Sequence, residues 1–321
     1  MKKLLALFAL AFAFSAQAQT VKVDGSSTVF PITEGIAEEF QNSNHGKIHV
    51  TVGLSGTGGG FKKFCAEETD INDASRPITQ SEIDLCASKG IKYYELPIAF
   101  DALTVVINPK NTFVKQLTTA DLKKMWEPAA QGTVANWNQV NSAFPSTPLK
   151  LFGPGTDSGT FDYFTEAVNG KAKSSRGDFN ASEDDNVLVR GVESETGALA
   201  YFGFAYYNPK FMKAVPIVNK DGKAVLPSKE TVLDGSYNPL SRPLFIYVNA
   251  KSLEKPEVKQ FVEFYMANSP KIAAEVKYIP LPSTVYQKNL EHLKNARTGT
   301  IFGGVNQIGL TIDQLTSKEA K

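Results

Sequence analysis

The sequence is poor in the residues that build metal, haem and many hydrolytic centres. It has three histidines and two cysteines among 321 residues, and it lacks His-Glu-x-x-His and comparable metal-ligand spacings. A phosphatase or esterase normally needs a metal cluster or a nucleophile–base pair. The composition therefore argues against a metalloenzyme, and we expect neither a metal ion nor a cofactor.

An excess of either charge is also lacking. The 34 Lys and Arg residues are balanced by 33 Asp and Glu residues, so the formal net charge is +1. Proteins that bind nucleic acid usually carry a clear basic excess, so a nucleic-acid partner is not expected. Any affinity for an anion must come from local geometry. The length fits about two domains of ordinary globular composition.

Membrane-length apolar runs are absent as well, and the one marked run is short. Leu4–Phe14 follows Lys2 and Lys3 and precedes the small-residue site Ala16–Ala18. This order is typical of a secretory signal peptide, and the run is too short to cross a bilayer. We expect cleavage after Ala18 and an exported mature protein.

Cys65 and Cys86 are the only cysteines. In an exported protein such a pair favours a disulfide. Two separate buried thiols are the alternative.

Strand and helix patterns alternate along the chain, which indicates an α/β fold with a mostly parallel sheet. A long apolar strand covers Leu96–Ile107, and the polar stretch 171–185 predicts a surface loop. The other predicted strands include 21–23, 49–52 and 149–152, and the helices that follow them are 32–40, 61–66 and 161–168.

Three loops rich in Gly, Ser and Thr connect these strands to their helices: Asp24–Thr28, Gly53–Gly60 and Gly153–Thr160. A helix start offers unpaired N–H groups and partial positive charge, and glycines allow close approach of a ligand, so such loops can bind anions. Each loop alone is also explained as a helix cap. Because the carboxyl ends of parallel strands share one sheet edge, we expect the three loops to converge. Neither a P-loop nor a Gly-x-Ser-x-Gly motif occurs.

A fourth motif, Asp73-Ala74-Ser75-Arg76-Pro77, places an arginine at a turn that proline stiffens. A guanidinium there can contact two oxygens of an oxyanion. A structural salt bridge, for example with Asp73, is the alternative.

Four motifs in order carry a family resemblance: Asp24–Pro31, Ser55–Lys62, Asp73–Pro77 and Asp157–Phe161. Together they resemble the periplasmic phosphate-binding proteins, which are the substrate-binding subunits of high-affinity phosphate ABC transporters. Each motif is weak alone, but the ordered set is specific and covers nearly the whole mature chain.

The resemblance implies a two-lobed α/β periplasmic binding protein, type II-like, with mixed and mostly parallel sheets joined by two hinge strands. Residues 1–18 would be the signal peptide, 19–97 with 246–321 lobe one, and 98–245 lobe two. The crossing segments would be Leu96–Ile107 and Pro243–Val248. The implied function is high-affinity binding of inorganic phosphate in the periplasm and its delivery to a membrane permease, by a monomer without enzymatic activity.

The resemblance also implies phosphate-binding residues, carried over motif by motif. They lie at the starts of the three helices and in the fourth motif: Ser27, Thr28, Val29, Ser55, Thr57, Gly58, Ser75, Arg76, Ser158, Gly159 and Thr160.

The sequence departs from the family pattern at two positions. Ser75 stands where the best-known members have a site aspartate, and Pro154 stands where they have an arginine. Arg76 would then supply the missing guanidinium. Asp73 and Asp157 are the candidates for a carboxylate that accepts the proton of phosphate and repels sulfate. The alternatives are a binder of another oxyanion (sulfate, molybdate or tungstate) and an exported phosphatase on the same scaffold.

Overall fold

The computed structural model describes residues 19–319, and the predicted signal peptide lies outside them. Within these residues, no helix combines the length and the apolarity needed to cross a bilayer.

The helices and strands alternate through most of the chain. The strands are β1 Gln19–Gly25, β2 Ile48–Val52, β3 Ile71–Ala74, β4 Tyr93–Ala102, β5 Thr104–Ile107, β6 Leu117–Thr118, β7 Lys150–Gly153, β8 Asn180–Ala181, β9 Ala198–Phe202, β10 Lys213–Ala214, β11 Ile217–Val218, β12 Ala224–Val225, β13 Ser241–Asn249 and β14 Ile279–Pro280. The helices are α1 Phe30–Ser43, α2 Gly56–Cys65, α3 Gln80–Ser88, α4 Thr119–Trp126, α5 Trp137–Val140, α6 Gly159–Asn169, α7 Asp185–Ser194, α8 Lys229–Leu233, α9 Pro256–Glu275, α10 Ser283–Lys294 and α11 Ile312–Glu319.

The first large sheet has the strand order β14-β4-β13-β3-β1-β2. β1 pairs in parallel with β2 and β3, whereas β13 runs antiparallel to β3 and β4. Helices α1 and α9 pack together on the core that covers one face, and α2 packs against β1 and β3. The loops that follow β1, β2 and β3 therefore emerge at one edge of this sheet.

The second large sheet has the order β10-β5-β9-β7-β8. β7 is parallel to β8 and β9, and β5 is antiparallel to β9 and β10. Trp126 of α4, Phe164 of α6 and Tyr201 of β9 pack ring against ring in its core. This packing fixes α6, whose first turn faces the first sheet.

The two sheets are joined where β4 passes into β5 through Leu103, and where the chain returns through Leu240 into β13. The predicted strand 96–107 is thus split between the sheets, as a crossing segment requires. The predicted two-lobed α/β architecture is confirmed. Parallel pairing does not dominate, because the strands next to the crossings run back against their neighbours.

Two local predictions, the start of α2 and the segment 171–185, differ from the structure. Helix α2 begins at Gly56, so the glycine-rich stretch forms its first turns and does not precede it. The segment 171–185, predicted as a surface loop, contains the buried Arg176 and ends in the buried Asp185. In the C-terminal segment, Asn306 Nδ2 donates a hydrogen bond to Glu166 Oε2 of α6 at 3.0 Å.

The predicted disulfide between Cys65 and Cys86 is confirmed. It ties the end of α2 to α3, with the two Cα atoms 4.6 Å apart. Both helices flank the loop that carries Ser75 and Arg76, so the bond stiffens the support of that loop.

Candidate anion-binding site

Helices α1 and α6 begin at one point between the two sheets. Thr28 precedes α1 and follows a strand of the first sheet, and Thr160 lies in the first turn of α6 and follows a strand of the second. Their hydroxyl oxygens are nevertheless 2.9 Å apart, and both side chains are buried. The two loops converge as predicted, but they come from two sheets and not from one shared edge.

The start of α2 and the fourth motif meet at the same place. Thr57 Oγ1 lies 3.3 Å from Ser75 Oγ and accepts a hydrogen bond from the Ser75 amide at 3.2 Å. A Cβ atom on Gly159 would lie 2.4 Å from Thr57 Oγ1 and 2.7 Å from Ser75 Oγ. Only glycine lets the start of α6 approach these two hydroxyls so closely.

Other predicted ligands sit at the helix starts with local partners. Ser158 Oγ accepts from the Thr160 amide at 3.1 Å and so caps α6. The Val29 amide donates to the Ser26 carbonyl at 3.2 Å. Ser27 Oγ donates to Asp185 Oδ2 at 3.4 Å. The structure therefore brings these three residues to the site edge while they also hold the helix starts.

Ser55 and Gly58 make hydrogen bonds away from this cluster. The Ser55 amide donates to Asp24 Oδ1 at 3.1 Å, and its hydroxyl accepts from Lys63 Nζ at 2.7 Å. The Gly58 amide donates to the Asp157 carbonyl at 2.8 Å, which is a contact between the two sheets' loops. Both groups predicted to hold an anion thus already have protein partners.

Arg242 is a site residue that the sequence reasoning missed. It lies on β13 with no exposed side-chain surface. Its Nη2 donates to Thr160 Oγ1 at 2.8 Å and to Thr28 Oγ1 at 3.4 Å, and its Nη1 donates to the Gly159 carbonyl at 3.1 Å. Asp101 on β4 balances the charge at 3.0 Å. A buried guanidinium therefore stands at the point where α1 and α6 begin.

Asp185 is a second residue that the sequence reasoning missed. It is the first residue of α7 and is 1% exposed. Its Oδ1 atom has no hydrogen-bond partner within the described part of the chain. Burial raises the pKa of Asp185 to about 8, the charge of Arg242 opposes that shift, and the charge of Asp101 adds to it. The charge of Asp185 therefore changes near pH 8 and not near its usual pKa of 3.8.

Arg76 lies in a different charge environment from Arg242. Its two Nη atoms each donate to a carboxylate oxygen of Glu82 at 2.8 Å. Its Nε donates to Asp162 Oδ2 of α6, also at 2.8 Å. The salt-bridge alternative for Arg76 is confirmed, with Glu82 and Asp162 as the partners and not Asp73.

The two predicted proton acceptors lie apart from the Thr28–Thr160 contact. The Asp157 carboxylate is 41% exposed and pairs with Lys62 Nζ at 2.9 Å. Asp73 is buried on β3 beside Thr33 of α1. Neither carboxylate oxygen of Asp73 has a hydrogen-bond partner within the described residues, and burial raises the pKa of Asp73 well above its usual range.

The chemistry of the cluster is that of an oxyanion holder. Its members are hydroxyls, helix-start amides and one guanidinium, all of which can donate hydrogen bonds to oxygen. Among residues 19–319, no group of three or more His, Cys, Asp or Glu side chains is placed to hold a metal ion.

Comparisons with known proteins agree with this arrangement. Residues 13–269 match the PBP superfamily domain. Protein SphX of Synechococcus elongatus is 51% identical over 307 residues, covering 95% of this chain and 90% of that protein. The phosphate-binding protein PstS of Staphylococcus haemolyticus is 40% identical over 278 residues, covering 85% of this chain and 84% of that protein.

The chain belongs to this family of phosphate-binding proteins.

A solved structure adds the fold of a liganded relative. It comes from Clostridium perfringens and is described as a phosphate ABC transporter substrate-binding protein with bound phosphate. It is 26% identical to this chain, with a TM-score of 0.70 over 82% of this chain and 100% of that chain. The family resemblance inferred from the ordered motifs is thereby confirmed.

In this member of the phosphate-binding protein family, a sequence signal for Arg242 did exist. Asp101 interrupts the apolar segment Leu96–Ile107, and Arg242 immediately precedes the crossing segment Pro243–Val248. A charge inside an apolar strand needs a partner when it is buried. Pairing the two crossing segments predicts the Asp101–Arg242 contact, and with it a guanidinium near the hinge. Asp185 has no comparable signal, because its surroundings read as a polar loop.

Proposed function

We propose that this chain binds inorganic phosphate in the cell envelope and delivers it to the permease of an ABC transporter. The family membership supports this proposal, as do the relative named phosphate-binding protein and the relative solved with phosphate bound. In this proposal the protein is exported, and it binds phosphate without catalysing a reaction.

One observation carries the proposal: Arg242 contacts Thr28 and Thr160 where two helices from different sheets begin. Burial strengthens the electrostatic attraction between a guanidinium and an anion because little water screens it. The helix starts add partial positive charge and N–H donors. An oxyanion bound there would contact donors from both lobes.

The proposed ligands combine the predicted residues with the one that was missed. Thr28, Thr57, Ser75 and Thr160 would donate hydroxyl hydrogens, and Arg242 would supply the guanidinium that Pro154 cannot. The amides of Val29 and Gly159 and the hydroxyls of Ser27 and Ser158 complete the proposed set. Ser55, Gly58 and Arg76 remain predicted ligands, although each already has protein partners.

Asp185 is the carboxyl group we propose for recognising the proton of phosphate. It is buried, it has one oxygen without a partner in residues 19–319, and it contacts Ser27 at the start of α1. A carboxyl group and monohydrogen phosphate can share one proton in a hydrogen bond. Sulfate brings no such proton, so an ionised Asp185 would repel it.

Calorimetric titration of the mature protein, stripped of ligand by partial unfolding and refolding, tests the proposal. Phosphate should bind with micromolar affinity or better, about −8 kcal/mol, and above about pH 8, where Asp185 is ionised, sulfate should bind at least about a hundredfold more weakly. Thr160→Val should weaken phosphate binding, whereas Thr51→Val at an exposed position of β2 serves as the matched control. Equal binding of sulfate would favour the wider oxyanion binder.

Two further outcomes would overturn the proposal. If none of phosphate, arsenate and sulfate binds, the cluster is not an oxyanion site. If the protein hydrolyses a phosphate monoester such as p-nitrophenyl phosphate and Thr160→Val removes that activity, the phosphatase alternative replaces transport.

A further inference from the structure

A buried ion pair joins the two lobes beside the proposed phosphate site. Arg76 follows β3 of the first sheet, and Asp162 lies in α6, which follows β7 of the second sheet. Arg76 Nε donates to Asp162 Oδ2 at 2.8 Å, and the two side chains are only 3% and 4% exposed. The pair therefore exists where the lobes touch, shielded from water.

Lobe one holds Arg76 in position without help from Asp162. Glu82 of α3 takes both Nη atoms in a two-point contact. Glu82 also accepts from the Thr79 amide at 2.9 Å and completes the capping box of α3. With the guanidinium fixed by Glu82, its Nε is directed towards the other lobe.

Asp162, in contrast, depends on the contact with Arg76. Within the described residues its Oδ1 atom has no hydrogen-bond partner, and its other nearby cation, Lys173, is 3.9 Å away with a side chain 55% exposed. Burial raises the pKa of Asp162, and the charge of Arg76 lowers it. Separation of the lobes would leave Asp162 with water and the exposed Lys173 as its partners.

We propose that Arg76 and Asp162 form a closure latch, an ion pair that is made when the lobes close, with or without phosphate between them, and is broken when they open. The inference rests on the proposed function and gives Arg76 a positioning role in place of a ligand role. Because such a contact exists only in the closed state, it raises the closed population and slows release of the anion. It does not contribute to the choice between anions.

A second pair between the lobes provides the comparison. Lys62 Nζ and Asp157 Oδ1 are 2.9 Å apart, but their side chains are 67% and 41% exposed. Exposed pairs contribute little, since water and salt screen them. If the buried pair is the latch, removing it should speed phosphate release clearly more than removing the exposed pair.

The test compares Asp162→Asn, Arg76→Lys and the control Lys62→Gln with the wild-type protein. Asp162→Asn keeps the shape of the side chain and leaves Arg76 paired with Glu82. Arg76→Lys keeps the positive charge but loses the planar guanidinium that contacts both carboxylates. In both latch variants the rate of phosphate release, measured by stopped flow, should rise about tenfold with an unchanged association rate. The phosphate-to-arsenate affinity ratio should stay within about twofold, and Lys62→Gln should behave as wild type.

Small-angle scattering of the phosphate-stripped proteins gives a readout that does not need phosphate binding. The latch predicts a larger radius of gyration for Asp162→Asn than for wild type. Equal radii together with release rates like that of Lys62→Gln would overturn the latch. A changed ratio between anions would also overturn it and return Arg76 to the ligands. Absence of phosphate binding by the wild type would refute the proposed function, and the scattering comparison would still decide the latch.

Discussion

Two buried arginines lie beside the proposed site, and they differ in the number of carboxylates that surround them. Arg242 has one carboxylate partner, Asp101, and donates its other hydrogen bonds to two threonine hydroxyls and a carbonyl. Arg76 is bracketed by Glu82 and Asp162. The local charge is therefore balanced around Arg242 and negative around Arg76.

The comparison shows that burial of an arginine does not by itself make an anion site. A cation whose remaining partners are hydroxyls can exchange them for the oxygens of an anion. A cation held between two carboxylates is electrostatically satisfied, and a dianion beside it would meet two negative charges. In this proposal Arg242 contacts the anion, and Arg76 links the two lobes.

The largest effect should come from the Arg242 region. Arg242→Gln combined with Asp101→Asn removes both charges, so neither is left buried alone. We expect phosphate affinity to fall about a thousandfold, because a charged and desolvated contact is lost. Calorimetry measures the affinity, and circular dichroism verifies folding. A folded double variant with less than about a tenfold loss would break the comparison.

The next effect is on pH dependence through Asp185, which lies near Arg242 and Asp101. Its pKa of about 8 means that it ionises as the pH rises through that value, and the ionised form repels sulfate, which has no proton to share. Phosphate itself stays a monohydrogen dianion over this range. Sulfate affinity should therefore fall about tenfold per pH unit above about pH 8, phosphate affinity should change much less, and Asp185→Asn should give a flat profile for both anions.

The same group also affects stability. The folded pKa of Asp185 is raised from 3.8, so its stabilising contribution is present at low pH and is lost as the pH rises towards 8. Urea unfolding of ligand-free wild type and Asp185→Asn across this range measures the difference. Parallel pH profiles of the two proteins, in affinity as in stability, would show that Asp185 does not titrate in the site.

A smaller effect on binding is expected from Glu82 in the Arg76 region. Glu82→Gln removes one of the two carboxylates while Arg76 keeps Asp162. We expect the free energy of unfolding to fall by about 1–3 kcal/mol, since a largely buried ion pair is lost, and phosphate affinity to change less than about threefold. Urea unfolding measures the free energy of unfolding, and calorimetry measures the phosphate affinity. A hundredfold loss of affinity in a stable variant would make Arg76 a ligand.

The smallest effect on binding should follow removal of the disulfide. Replacing Cys65 and Cys86 by serine releases a loop with a sequence separation of 21. The unfolding free energy should fall by about 3 kcal/mol because the unfolded chain gains freedom. Phosphate affinity should stay within about twofold of wild type below the melting transition. Reduced wild-type protein is the control, and a large affinity loss in both would mean that the bond positions Ser75.

Local signals in the sequence were enough for the strand–loop–helix junctions. The predicted helices 32–40 and 161–168 lie inside α1 and α6, and the predicted strand 49–52 lies inside β2. The start of α2 was missed, because glycine has a low helix propensity. In the fold, a Cβ on Gly60 would lie 2.0 Å from Asn72 Oδ1. Close packing of the helix on β3 explains glycine there, and sequence alone does not show that neighbour.

The sequence by itself determined that the loops after β1, β2 and β3 come together, since the carboxyl ends of neighbouring parallel strands share one edge of a sheet. The loop before α6 belongs to the second sheet, and only the tertiary structure brings it to the same point. The sequence also determined the disulfide pair and the family, through motifs whose order is kept. Only the tertiary structure decided which arginine stands at the meeting point. Arg242 and Thr28 are 214 residues apart, and they meet because β13 lies between β3 and β4. Strand order, burial and pKa are properties of the folded neighbourhood, and no local pattern encodes them.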